Sequence, residues 1–201
     1  MMKQMPCPSE LKGPGIFFGI DASLTGSGIC RLQDGVASCD TVKTTPKTAE
    51  TDLERYIYIA DRIMAEIPDN TQMVCMEDYY TPRNPAQMGA AIVLIAVDTH
   101  IRIRLFQRGI PFIIVSPTTL KKFVTGKGGG SKDVIIMHLY KRYGLEFSDN
   151  NQADSFGLAV MARAVYEKLS GSSHDMTKPQ QESVKKVLAD SKQYNIKELK
   201  K

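Results

Sequence analysis

The chain has 201 residues, of which 42% are hydrophobic and 24% charged, with a formal net charge of +4. That length supports one domain plus an appendage, with a core that needs no disulfide staples, and the composition excludes a wholly disordered chain. The longest apolar run, Met88 to Val97, is ten residues, and a membrane-spanning helix needs roughly 20.

Residues 1–14 hold three prolines and read as a loose N-terminal arm. The opening Met1-Met-Lys-Gln-Met-Pro-Cys-Pro has no apolar h-region, so no signal peptide is expected. Gly15-Ile-Phe-Phe-Gly-Ile-Asp21 reads as a strand buried on both faces and ending on a carboxylate. Ile29–Leu32 and Val36–Val42 flank Asp34-Gly35, a hairpin dipeptide. Thr51-Asp-Leu-Glu54 has the form of a capping box, and the apolar spacing after it predicts a helix that Pro68 stops. Met73-Val-Cys-Met-Glu77 is a second buried strand that ends on a carboxylate. A long helix is predicted over residues 86–108, then a strand over 111–115 and a short helix over 117–124. A glycine-rich loop and two helices, over 132–143 and 151–169, follow. Residues 170–201 read as a Lys-rich tail. Strands as a meander, then alternating with helices, predict an α/β fold with a mixed five-stranded sheet flanked by helices. The domain proper spans 15–169.

Charge is segregated along the chain. Residues 1–98 carry a net of −5, 99–142 a net of +8, 143–167 a net of −3 and 168–201 a net of +4. A basic middle suits a polyanion, and the acidic blocks beside it suit metal ions. The acidic blocks contain Asp21 and Glu77 at strand ends and Asp154 on the first turn of a helix. Carboxylates gathered at one sheet edge repel unless cations neutralise them, and oxygen ligands suit Mg²⁺, with Mn²⁺ able to substitute. Two such ions about 4 Å apart clamp the attacking and leaving oxygens of a phosphodiester.

The four cysteines form no C-x-x-C pair and lie near none of the three histidines. Zinc is therefore not expected, and scattered cysteines fit a reducing cytoplasm. Gly126-Lys-Gly-Gly-Gly-Ser-Lys lacks the order of a P-loop, which excludes a nucleotide cofactor bound that way.

Four motifs resemble RuvC-type Holliday-junction resolvases, which have the ribonuclease H-like fold. Gly19-Ile-Asp-Ala-Ser-Leu-Thr-Gly-Ser-Gly28 resembles their opening strand and turn. Cys75-Met-Glu-Asp-Tyr-Tyr80 resembles the second acidic strand. Val115 to Lys132 resembles the basic helix-loop segment. Asn151-Gln-Ala-Asp-Ser-Phe-Gly-Leu-Ala159 resembles the last acidic helix. Order and spacing agree over residues 15–168, and the compact form is most similar to phage-encoded members.

The resemblance implies a homodimer, paired through the apolar helix, that nicks two strands of four-way (Holliday) DNA symmetrically by Mg²⁺-dependent hydrolysis. It implies Asp21, Glu77 and Asp154 as metal ligands, with Asn151 or Asp149 as a fourth. Lys132 matches a lysine near the scissile phosphate. Lys121, Lys122 and Lys127 match DNA-backbone contacts, and Tyr79 or Tyr80, with Arg83 nearby, a residue at the crossover. The rival readings are another ribonuclease H-like nuclease, acting on RNA hybrids or flaps, and a catalytically impaired branched-DNA-binding protein. A protein of this kind would work in the cytoplasm. Its basic tail is expected to aid DNA binding without taking part in cleavage.

Overall fold

The computed structural model describes residues 2–79, 84, 88–129, 132–172, 176–190 and 192–196. Its strands are β1 (Lys3–Pro6), β2 (Ile16–Asp21), β3 (Gly26–Gln33), β4 (Val36–Lys43), β5 (Met73–Glu77), β6 (Phe112–Val115) and β7 (Gln193–Tyr194). They form one sheet in the order β1-β4-β3-β2-β5-β6-β7. The β2–β5 and β5–β6 pairs are parallel and the others antiparallel. The helices are α1 (Asp52–Glu66), α2 (Met88–Gln107), α3 (Pro117–Thr125), α4 (Lys132–Tyr143), α5 (Asn150–Leu169) and α6 (Lys178–Ala189).

The central strands are continuously apolar because both of their faces are covered. Phe17, Met73, Cys75, Ile113 and Val115 face a core shared with α3, α4, α5 and α6. Their neighbours Phe18, Ile20, Val74, Met76, Phe112 and Ile114 face a second core, shared with α1 and α2. Side chains alternate across a strand, so one run of sequence feeds two layers. Local signals hold as expected. Thr51 and Glu54 form the reciprocal capping box. Asp34 and Gly35 both take positive φ, as a tight type I′ hairpin turn requires.

Three features differ from the sequence-based expectation. The sheet has seven strands instead of five, because β1 pairs with β4 and β7 pairs with β6. Residues of the arm expected to be loose are packed: Met5, Cys7 and Leu11 are buried. The Lys-rich tail likewise folds, as α6 and β7, with Val184, Val187 and Ile196 in the core. These additions escaped the sequence pattern because each apolar set is short and completes its burial only on a surface made elsewhere. Cys30 and Cys39, whose spacing marks no motif, share a rung of the β3–β4 hairpin and are joined as a disulfide. Cys7 and Cys75 are buried free thiols.

Candidate active site

The site is built where β2 and β5 end. These neighbours run parallel, in a register that matches Ile20 with Met76, so their last residues, Asp21 and Glu77, finish side by side. Alternation decides their facing. Asp21 follows Phe17 and Gly19 on the α5 side of the sheet, and Glu77 follows Met73 and Cys75 on the same side.

Two glycines set how closely α5 approaches. A Cβ on Gly19 would lie 1.9 Å from the carbonyl oxygen of Ser155, and one on Gly28 would lie 2.1 Å from that of Asn151. No side chain fits in either place, so helix backbone rests directly on strand backbone. Gly28 is the rung partner of Asp21. Asn151 therefore lies over the rung that carries Asp21, and the start of the second turn of α5, one turn later than the sequence pattern predicts, delivers Asp154 to the same end of the sheet. Asp154 is buried, at 8% exposure.

A cavity at these strand ends is lined by Asp21, Ala22, Glu77, Asp78, Tyr79, Leu94 and Asp98. Its donors are oxygens, a set that suits a hard divalent cation. The Asp98 Oδ1 atom is buried and has no hydrogen-bond partner among the described residues. Among those residues no three of the His, Cys, Asp and Glu side chains close on a common point; Asp21 and Glu77 line the cavity with Asp78 and Asp98, and Asp154 lies outside its lining.

The two expected fourth ligands sit at the N-terminus of α5. Asp149 is the N-cap of α5, where it accepts from the Gln152 amide at 2.9 Å and from the Thr41 hydroxyl at 2.9 Å. Asn151 carries its amide group against Gly26.

Asp98 and its partners were missed by sequence reasoning. Asp98 is 1% exposed and sits mid-way along α2. Arg102, one turn on, approaches it at 2.6 Å and reaches Asp78 at 3.3 Å. Lys192, just before β7, pairs with the other Asp78 oxygen. The Arg102 guanidinium also lies over the Tyr79 ring, 5.2 Å from its centroid. Burial raises the Asp98 carboxyl to about 6, against the opposing pull of Arg102. The hydrogen bond to Asp78 raises Lys192. The available signal was an Asp-x-x-x-Arg pair directly after the apolar run that opens α2.

The basic residues fall on one flank. Lys121 and Lys122 are half-buried on α3, and Lys127 is exposed just beyond it. Lys122 is held by Glu182 of α6 at 2.7 Å. Packing of α6 on α3 thus joins the basic middle of the sequence to its basic tail. Tyr80, Arg83 and the Lys132 side chain lie outside the described residues.

Comparison with solved structures settles what the architecture is. Thermus thermophilus RuvC matches over 72% of this chain and 91% of its own, at 20% identity and a TM-score of 0.58. T. thermophilus RuvC in complex with a Holliday junction substrate matches over 73% and 91%, at 19% identity and a TM-score of 0.59. The chain has the RuvC fold. That fold is ribonuclease H-like, with a mixed sheet between helical layers, as the sequence motifs implied. No protein-family profile and no curated protein matches the chain. The RuvC fold accounts for about three quarters of the chain.

Proposed function

We propose that this protein is a structure-selective endodeoxyribonuclease that cuts four-way DNA as a homodimer. The observation that carries the reading is the pairing of Asp21 and Glu77 at adjacent strand ends, around one cavity and on the face from which α5 presents Asp154. The RuvC fold supports it, and a RuvC of that fold has been seen with a Holliday junction substrate.

In this reading Asp21, Glu77 and Asp154 hold Mg²⁺, or Mn²⁺ in its place, with Asn151 able to add a neutral oxygen. Bound there, two ions would activate water and stabilise the charge that develops on the scissile phosphate. The chain supplies the rest. β2 and β5 fix two carboxylates on a rigid sheet, and α5 adds the third through contacts too close to slide. Lys121, Lys122 and Lys127 steer the DNA backbone to the strand ends, and Lys132 supplies positive charge at the phosphate. Tyr79 flanks the cavity, and the role of a residue at the crossover falls to Tyr79 or Tyr80, with Arg83 as a further DNA contact.

Two symmetric cuts need two sites related by a two-fold axis. The outer face of α2 supports such pairing. Met88, Ile92, Ile103 and Phe106 are exposed there, 37%, 59%, 50% and 58% respectively, at spacings that fall on one helical stripe. Exposed apolar side chains gathered on one face, here on either side of Thr99, suit an interface.

The test is cleavage of a synthetic four-way junction in Mg²⁺. Glu77→Gln should abolish cutting while junction affinity, measured in Ca²⁺ at a fixed salt of about 150 mM, stays within about twofold. Undiminished nicking by that variant would remove Glu77 from the site. Equal affinity of the wild type for junction and linear duplex would favour a general nuclease.

A further inference from the structure

β5 ends on Glu77, and Asp78, the residue after it, turns to the opposite face. Glu77 faces the α5 layer, whereas Asp78 faces α2, where Arg102 and Lys192 take its two oxygens. Arg102 is also clamped by Asp98, so four charges alternate in sign from α2 to the segment before β7. Three of the four side chains are at most 17% exposed. A buried charge is tolerated only when its partners are fixed, so this chain of ions is rigid or costly. It passes through Asp78, the residue next to Glu77, and its guanidinium covers the ring of Tyr79.

We propose that Arg102 is a positioning residue: gripping Asp78 and Asp98 and lying over Tyr79, it fixes the strand end that aims Glu77 into the cavity. Lys192 closes the grip from the opposite side. The C-terminal segment therefore takes part in assembling the active site, contrary to its expected role as an accessory DNA-binding tail. The inference rests on the metal-site reading above and goes beyond it, because no residue of the network is one of the proposed ligands.

The experiment separates the two. Mn²⁺ is titrated calorimetrically into the full chain without DNA, for wild type, Arg102→Gln, Arg102→Lys and Lys192→Gln. Junction cleavage is then followed in single turnover against Mg²⁺ concentration. Residues that orient metal ligands typically cost 10–100-fold when changed. Arg102→Gln should weaken Mn²⁺ binding about tenfold or more and raise the Mg²⁺ needed for half-maximal cleavage to match. Arg102→Lys should recover only part of this, since an ammonium cannot span two carboxylates and cover a ring. Lys192→Gln, at a half-exposed position, should lose about threefold, below the range for a fully buried partner. It decides the matter if the Arg102 variants do not fold.

Unchanged Mn²⁺ affinity in both Gln variants overturns the proposal. So does tighter binding in Arg102→Gln, which would mean that only the charge of Arg102 is felt at the site. A wild type that binds no Mn²⁺ overturns the metal reading and this inference with it. A wild type that binds Mn²⁺ but leaves junctions uncut overturns the junction reading alone, and the comparison among variants still decides the role of Arg102.

Discussion

Helices α2 and α5 are each 20 residues long, and both are apolar on more than one side. They meet opposite fates. Every residue of α5 from Gln152 to Val165 is buried, because the sheet lies under it and α3, α4 and α6 lie around it. Gly157 even admits Val124 and Leu120 of α3 on the outer side. Helix α2 has the sheet and α1 on its inner side, where Val97, Ile101 and Leu105 are fully buried. Its outer side shows Ile92, Ile103 and Phe106 to solvent. The difference teaches that helix hydrophobicity alone does not say how many layers cover it. In α5 the apolar surface is spent within the chain, and in α2 part of it stays exposed, on the face proposed above for pairing.

Gly19→Val would break the α5 side most severely. Its side chain would overlap the Ser155 carbonyl and the Ala159 amide, which are backbone and cannot turn away. Overpacking typically costs about 1–3 kcal/mol, and this case should exceed that range. Denaturant unfolding would measure it, and a soluble variant of wild-type midpoint would show that α5 can lift.

Removing residues 176–201 tests the outer cover of the same helix. It strips away buried Val184, Val187 and Ile196, each worth about 1.5–3 kcal/mol when fully buried. We expect a loss of at least about 3 kcal/mol by chemical denaturation. A merely accessory tail would leave the midpoint in place.

On the α2 side, Asp98 gives a pH signature. Its carboxyl is raised to about 6 in the folded protein, mainly by burial and against Arg102. It therefore favours the native state while protonated. That contribution is fully present below about pH 4, the ordinary carboxylate value, and is lost as pH rises through about 6. Relative to Asp98→Asn, the wild type should lose on the order of 2 kcal/mol between pH 4 and pH 7 in the absence of divalent ions. Parallel stability profiles for the two proteins would refute the shift.

The smallest effect on the protomer is expected from Ile92→Glu combined with Phe106→Glu. Surface changes of this kind typically alter stability by about 0.5 kcal/mol or less each. Sedimentation should nonetheless report a shift from dimer to monomer, and symmetric double nicking should fall. An unchanged mass would exclude the α2 stripe as the interface.

Much of this was legible because the decisive signals are local. A buried strand that ends on an acid, as at Asp21 and Glu77, is visible in a few residues. So are the Thr51–Glu54 capping box and the Asp34-Gly35 turn. What escaped reading depends on distant segments meeting. Lys192 lies 114 positions from Asp78, and only the placing of β7 beside β6 brings them together. Asp98 reads as the polar end of an apolar run until Arg102 is seen to bridge it to Asp78. The close approach behind Gly19 and Gly28 looks, in sequence, like ordinary strand and turn glycine.

The two outermost strands have a further consequence. A sheet whose flanks stay open offers unpaired amides and carbonyls to any extended chain, which is a route to aggregation. Here β1, with four residues, and β7, with two, stand at those flanks. Both are too short to template a long neighbour, and β1 contains Pro6, which has no amide to donate. β7 shields β6, a strand of four consecutive buried apolar residues. The segment that steadies the Asp78 side of the site thus also keeps the most adhesive rim of the sheet from recruiting other chains.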